Sequence, residues 1–286
     1  MAERDAAGGT LYVVATPIGN LGDITLRALE VLRAVPLVAA EDTRLTRRLW
    51  ARYGIGTRLV SYHAQSDARR LAELLEHLSG GSDLAVVTDA GTPQVSDPGG
   101  ELVAAWAARG GRVVPIPGPS ASLAALVASG VTAARFCFEG FLPRRGKERR
   151  ERMERICADE RATIVFEAPG RAAATLADLA AKCGEDRPAS LSRELTKLHE
   201  ETWRGTLGEL ARRASGNPPR GEITIVVSGA TGGATEAATT VDDARMEVDR
   251  LVEEGMSRSS AAREIASRTG LPRRELFRFS KPNRRD

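Results

Sequence analysis

Cysteine and histidine are both scarce in this sequence. The three cysteines, Cys137, Cys157 and Cys183, are odd in number and widely spaced, and with His63, His77 and His199 they make no metal-ligand spacing. That pattern argues against a disulfide framework, against a metal site, and for a reducing compartment. No apolar run approaches membrane-spanning length, and the polar opening MAERDAAGGT lacks the apolar core of a secretory leader. The expectation is a cytoplasmic protein with no membrane partner. Lysine is limited to Lys147, Lys182, Lys197 and Lys281, so basic charge is carried mostly by arginine. The formal net charge of +3 is too small to imply nucleic-acid binding, which leaves that question to local clusters.

What is present suffices for two cores: 286 residues, 42% of them hydrophobic. From residue 10 to about 116, short apolar runs alternate with helical patterns. Strands are expected at 10–16, 37–40, 59–62, 84–87 and 112–116, and helices at 23–34, 43–53, 67–78 and 97–108. Asp23 and Asp97 read as N-caps, and Pro98 as a first helical residue. This alternation implies an open, mostly parallel α/β sheet. PIPGP at 115–119 reads as a hinge, followed by a helix at 120–128. The second half has strands at 136–140, 163–166, 189–193, 201–204 and 222–227, some joined so briefly that a mixed sheet with antiparallel pairs is expected. SGATGGATEAATTV at 228–241 reads as a linker. The tail reads as helical, with a helix-turn-helix look at 263–278, Gly270 at its turn, and Leu276 and Phe279 packing the second helix. The expected organisation is an N-terminal α/β domain at 10–117, a C-terminal α/β domain at 118–230 and a helical tail at 242–286.

The loops TPIGNLGD at 16–23 and DAGTPQVSDPG at 89–99 follow strands, where open α/β sheets bind ligands. Neither is a Gly-rich loop ending in Lys and Ser/Thr, and Gly19 and Gly22 lack the further spacing of a dinucleotide fingerprint. Their aspartates would repel phosphate. A neutral or cationic ligand fits better, and S-adenosylmethionine, with a sulfonium and no phosphate, is one.

The sequence resembles the tetrapyrrole-methylase superfamily of S-adenosylmethionine-dependent methyltransferases. Within it, the likeness is greatest to the branch that methylates the ribose 2′-hydroxyl of a cytidine in small-subunit ribosomal RNA. The resemblance spans nearly the whole chain. It rests on LYVVATPIGNLGDITLRALEVL, AAEDTRLTRRLW, TDAGTPQVSDPG, PIPGPSA, FEGFLP, VFEAPGR, SRELTKLHEE and GEITIVV in this order. It implies two α/β domains with the cofactor in the cleft between them, and a homodimer. The family's Gly-Asp-Pro cofactor motif is represented by Gly91-Thr92-Pro93, a departure at the middle residue. Ser120 and Ala121 match a segment that touches the cofactor. Phe166-Glu167-Ala168 and Gly221-Glu222-Ile223 match the second domain's contributions. Pro17, Asp89 and Val95 complete the implied cofactor set, although Asp89 would equally serve to hold its own turn.

Glu41-Asp42-Thr43-Arg44 and Arg193-Glu194-Leu195-Thr196-Lys197 mark the RNA branch and point to substrate contact, with an inter-domain ion-pair set as the plain alternative. A ribose hydroxyl must lose its proton, so Asp42, Glu194 and Lys197 are the catalytic candidates, Lys197 as a base only if burial depresses its pKa and otherwise as a cation beside the alkoxide. Arg44, Arg144, Arg145, Lys147, Arg149, Arg273 and Arg274 are the candidate RNA contacts, on free ribosomal RNA or the assembled subunit. The basic run at 144–152 is otherwise an ordinary solvated helix face, and the tail a helical cap or dimerisation element. Two other functions stand beside the main one: methylation of a small tetrapyrrole, and a helix-turn-helix regulator using the α/β body as a metabolite sensor.

Overall fold

The computed structural model describes residues 8–63, 65–66, 68–97, 99–230, 241–269 and 271–277, apart from the Arg268 side chain. The chain divides into two compact units, Met1–Ala230 and Thr231–Asp286. The first unit contains two five-stranded sheets.

In the first sheet β1 (Thr10–Val14), β2 (Leu37–Ala40), β3 (Arg58–Ser61), β4 (Leu84–Val87) and β5 (Arg112–Ile116) are all parallel, in the order β3-β2-β4-β1-β5. The helices α1 (Leu26–Ala34), α2 (Thr43–Tyr53), α3 (Ala68–Ser79) and α4 (Gly100–Ala108) connect these strands. β4 is apolar and buried at every position, as a central strand covered on both faces must be. One core, on the side of Leu32 and Trp50, and another, on the side of Leu78 and Trp106, cover the two faces.

After α5 (Ala121–Ala128), the second sheet is built from β6 (Phe136–Phe141), β7 (Ala162–Glu167), β8 (Pro188–Arg193), β9 (Glu201–Thr206) and β10 (Ile223–Val227), in the order β6-β7-β10-β8-β9. β6 and β7 are parallel and the other pairs antiparallel, so the sheet is mixed as expected. α6 (Lys147–Ala158), α7 (Ala172–Cys183) and α8 (Leu207–Gly216) share the large core around Leu176, Leu191 and Ile225. A reciprocal Thr206–Glu209 capping box starts α8. α5 packs Ala125 against Ile164 and Val226. In the second unit, α9 (Val241–Glu253), α10 (Arg258–Thr269) and the single turn α11 (Arg273–Leu276) enclose Val248, Ala261, Ile265 and Leu276. Gly270 and Phe279 of the expected helix-turn-helix lie outside the described residues, as do Asp67, Pro98 and residues 231–240 of the linker.

Four expectations are corrected. Asp23 does not cap α1; it ends a 3-10 turn, and Thr25 Oγ accepts from the Ala28 N–H at 3.1 Å instead. Asp97 does not cap α4, which begins at Gly100 after Gly99 at φ 118°. Cys157 and Cys183 are disulfide-bonded, because α6 and α7 pack side by side and bring their last turns within 4.7 Å between Cα atoms. Helix packing, not sequence spacing, sets that distance. Cys137 stays a thiol, donating to Asp159.

The fourth correction concerns RNA contact. Arg149 lies on the inner face of α6 and donates to Pro143 O, Thr175 Oγ1 and, at 2.8 Å, Asp178 Oδ2. Its side chain is 11% exposed, so it faces the core and not solvent. Arg149→Met should therefore cost about 2 kcal/mol of stability, since it removes the hydrogen bonds of a buried guanidinium to Pro143 O, Thr175 Oγ1 and Asp178. Arg144→Ala and Arg145→Ala, on exposed loop residues, should each shift stability by less than about 0.5 kcal/mol. Urea unfolding of the three variants checks this.

Candidate active site

β1 and β4 are neighbours whose connections leave toward opposite sides of the sheet, which opens a crevice at their carboxyl ends. The two exit loops are bonded to each other. The Thr16 N–H donates to Gly91 O at 2.9 Å, and the Gly91 N–H to Thr16 O at 3.1 Å. Gly91 sits at φ 87°, where a side chain would be strained. Asp89, two residues earlier, faces the other way. Its carboxylate accepts from the Asp42 N–H at 2.9 Å, and its own N–H donates to Glu41 Oε2 at 3.2 Å. This reciprocal pair fastens the loop to the end of β2.

Beyond Gly91 the loop bends twice more, with Gln94 at φ 75° and Ser96 at φ 67°. The opposing loop after β8 does the same, with Glu194 at φ 51° and Thr196 at φ 67°. Among the described residues these four are the non-glycine positions in the left-handed region. Strain of this kind is retained where it aims a side chain, and here it belongs to the two loops that face one cavity.

That cavity has a volume of about 630 Å³. Ile18, Ala90–Thr92 and Val95–Asp97 form its first wall, and Ser120–Ser122 at the start of α5 a second. Phe141, Phe166–Pro169, Glu194, Lys197 and Gly221–Thr224 complete it. Phe166 meets Phe138 and Phe141 edge-on at 4.9 and 5.6 Å. Phe141 remains 55% exposed at the mouth. The Glu167 side chain is fully buried, yet it is satisfied: it accepts from the Ala168 N–H, from Thr175 Oγ1 at 2.6 Å, and pairs with Arg171 at 3.2 Å. Lys197 Nζ donates to Glu194 Oε1 at 2.9 Å and Glu222 Oε2 at 3.1 Å. A Cβ on Gly19 would lie 2.5 Å from Lys197 Cγ, so glycine there permits the close approach of the two halves.

The titrating groups separate sharply. Burial, reinforced by the charges of Glu41 and Asp89, pushes Asp97 up to about 7. Burial would lower Lys197, but hydrogen bonds to Glu194 and Glu222 outweigh it and hold the ammonium above its usual range. The condition for Lys197 as a base is therefore not met. Its hydrogen bond holds Glu194 below the ordinary carboxylate range. Asp42 is held down to about 2, chiefly by the side chain of Arg44.

The cavity thus gathers Gly91, Thr92, Val95, Ser120, Ala121, Phe166, Glu167, Ile223, Glu194 and Lys197 of the residues singled out by sequence. Pro17 and Pro93 are buried behind the wall, Asp89 braces it, and Asp42 caps α2 outside it. Sequence reasoning missed Ile18, Ser96, Ser122, Phe141 and Thr224 as lining residues, and assigned Asp97 to helix capping. The signal for Asp97 was the second break in its loop, which Asp-Pro-Gly made resemble a helix start. Among the described residues there is no cluster that would hold a metal and no helix long and apolar enough to cross a membrane.

The cavity suits a ligand that is partly apolar and partly cationic. Ile18, Val95, Phe166 and Ile223 supply apolar walls, Asp97 and Glu194 supply negative charge, and Lys197, the one cation among the described residues lining it, is already paired. If the left-handed turn is strained to aim Asp97, Ser96→Gly should stabilise the fold by about 0.5–1 kcal/mol. Gly91→Ala should destabilise it by about 1 kcal/mol. Denaturant unfolding of both variants tests the pair.

Residues 10–211 match the family of tetrapyrrole (corrin/porphyrin) methylases. Two relatives bear the name ribosomal RNA small subunit methyltransferase I. The one from Synechocystis is 46% identical, over 95% of this chain and 97% of its own. That from Micromonospora olivasterospora is 47% identical, over 96% and 87%. Among solved structures, the uroporphyrin-III C-methyltransferase of Thermus thermophilus in complex with S-adenosyl homocysteine aligns with a TM-score of 0.57 at 20% identity, over 77% of this chain and 97% of that one. That likeness speaks to the fold alone. With most of the chain matched and relatives similar along nearly their full length, the protein belongs to the tetrapyrrole methylase family.

Proposed function

We propose that this protein transfers a methyl group from S-adenosylmethionine to the 2′-hydroxyl of a cytidine ribose in small-subunit ribosomal RNA. The observation that carries the mechanism is Asp97: a carboxylate facing the cavity whose proton affinity sits near neutrality. A ribose hydroxyl is weakly acidic, and a base titrating near the working pH is the most effective acceptor for its proton. The names of the relatives supply the substrate class.

The cavity fits the cofactor by size, by its acidic and apolar lining, and by having no phosphate cradle. Thr92, Ser120, Ala121, Phe166 and Ile223 are the residues that would hold it, with the uncapped start of α5 offering backbone N–H groups to a carboxylate. When bound, S-adenosylmethionine supplies an electrophilic methyl group. Asp97 takes the hydroxyl proton, a role for which the sequence offered Asp42, Glu194 and Lys197. Lys197 remains a cation beside the developing alkoxide, and Glu194 fixes its position. Holding the oxygen in line for attack accounts for the rest of the rate.

Arg144 and Arg145 are exposed on the loop that follows β6 and Phe141, so they are positioned to track a phosphate backbone near the cavity mouth. Arg44 and Lys147 are also exposed, paired with Asp42 and Glu151 respectively. Arg273 and Arg274 are exposed in the second unit and form a separate candidate contact. The reading includes a homodimer, for which the exposed Leu123 and Val127, one turn apart on α5, are candidate contacts. It also places the protein in the cytoplasm, with the ribosomal subunits.

Deprotonated Asp97 is the active form, so the single-turnover rate with small subunits should rise with pH through about 7 and level off above it. Asp97→Asn should cut that rate at least about 100-fold and abolish the pH dependence, with S-adenosyl homocysteine affinity changed by less than about threefold. An unchanged rate removes Asp97 from the mechanism. Mass spectrometry of ribosomal RNA from cells lacking the protein tests the whole reading: one cytidine ribose methylation should disappear, and an unchanged pattern sinks it.

A further inference from the structure

A second cavity of about 420 Å³ lies on the other side of the Asp89 brace, lined by Glu41, Asp42, Thr43, Arg44, Ser61 and His63. The mechanism above uses none of these residues for chemistry. The two cavities are neighbours through one short stretch of chain. Ala90 and Gly91 line the large one, while Asp89 is hydrogen-bonded to Glu41 and Asp42 of the smaller. Glu41 is also close enough for its charge to act on Asp97.

The lining has the donors and acceptors of a nucleobase edge reader. Glu41 Oε2 accepts from the Asp89 N–H, and Oε1 has no partner among the described residues. His63 Nδ1 accepts from the Gln65 N–H at 3.2 Å, which leaves Nε2 as the donor. The hydroxyls of Thr43 and Ser61 likewise make no hydrogen bond to another described residue. Arg44 is 85% exposed and held at the rim by Asp42 at 2.6 Å. The set is thus a free carboxylate oxygen on Glu41, the donors of His63, Thr43 and Ser61, and at the rim Arg44 with its partner Asp42.

We propose that this second cavity receives the base of the nucleotide being methylated and selects cytosine over uracil through Glu41, whose free carboxylate oxygen accepts from the cytosine 4-amino group. The proposal rests on the ribosomal RNA reading and adds the subsite that sets its base specificity. Cytosine presents an amino donor at position 4 with acceptors at N3 and O2, which complement Glu41 on one side and the His63 and hydroxyl donors on the other. Uracil presents O4 where cytosine presents the amino group, so two acceptors would face each other. The ribose of a base seated here extends toward Asp97, past the Asp89 brace, and Arg44 at the rim faces the adjoining phosphate.

The test uses reconstituted small subunits carrying cytidine or uridine at the methylated position, with kcat/KM for ribose methylation as the readout. The wild-type protein should prefer cytidine by about tenfold or more, the value of one well-made base contact. In Glu41→Gln the amide can donate to O4 or accept from the amino group, so the preference should shrink to within about threefold. Because Glu41 also bears on Asp97, absolute rates will change, but equally for both substrates, and the ratio is unaffected. A Glu41→Gln variant that keeps the wild-type ratio, or a wild-type protein indifferent to the base, overturns the proposal. Absence of ribose methylation on either substrate by the wild-type protein would instead reject the underlying function, and the subsite with it. If Glu41→Gln does not fold, His63→Ala and Ser61→Ala take its place. Each should raise KM for the cytidine substrate severalfold while leaving S-adenosyl homocysteine affinity unchanged, and an unchanged KM in both refutes the subsite.

Discussion

A reciprocal pair of hydrogen bonds fastens the loop after β4 to the end of β2: the Asp89 carboxylate takes the Asp42 N–H, and the Asp89 N–H meets the Glu41 carboxylate. Much of the site depends on that bracket. It fixes the start of a loop that must then turn through Gly91, Gln94 and Ser96 in left-handed conformations. Those turns deliver Thr92, Val95 and Asp97 to one wall of a single cavity. The bracket also concentrates carboxylates. Glu41 and Asp89 both have their proton affinity raised, first by burial, and together they act on Asp97. Structural fastening and electrostatic tuning are therefore the same set of atoms.

The opposing loop achieves its order differently. Glu194 and Thr196 adopt left-handed backbone angles, and Lys197 is held between Glu194 and Glu222. Where the first wall concentrates like charge and raises a carboxylate's pKa, the second pairs opposite charge, which lowers Glu194 and raises Lys197. A carboxylate near neutrality thus shares one cavity with a cation held above its usual range. This division of environments is what separates an acceptor of protons from a stabiliser of negative charge.

Much of the fold was legible in sequence because it follows from periodicity. The all-buried run LAVV, the alternation of short strands with amphipathic helices, and Gly54 closing α2 need no tertiary information to be read. Thr92, Ser120, Phe166, Glu167 and Ile223 were legible as cavity residues through the order of their motifs. Asp97 was not. Asp-Pro-Gly before an apolar helix has the same local pattern whether the aspartate caps the helix or turns into a cleft, and the outcome is decided by left-handed φ values at Gln94 and Ser96, three and one residues upstream. Arg149 failed for a similar reason. Within KERRERMERICA every arginine looks alike, and only the packing of α6 on α7 shows which one meets Thr175 and Asp178.

By itself, then, the sequence determined the order and type of elements, the parallel and mixed character of the two sheets, the family, and the absence of a phosphate-binding signature, since each is a property of local pattern or composition. Tertiary structure alone decided the chemistry of individual groups. It joined Cys157 to Cys183 across 26 residues, turned Arg149 inward, raised Lys197 where burial by itself would have lowered it, and brought Asp97 up to about 7 by placing it among other acids. The physical reason is the same in each case: a proton affinity or a bond partner depends on charges and burial contributed by chain segments distant in sequence, which no local pattern encodes.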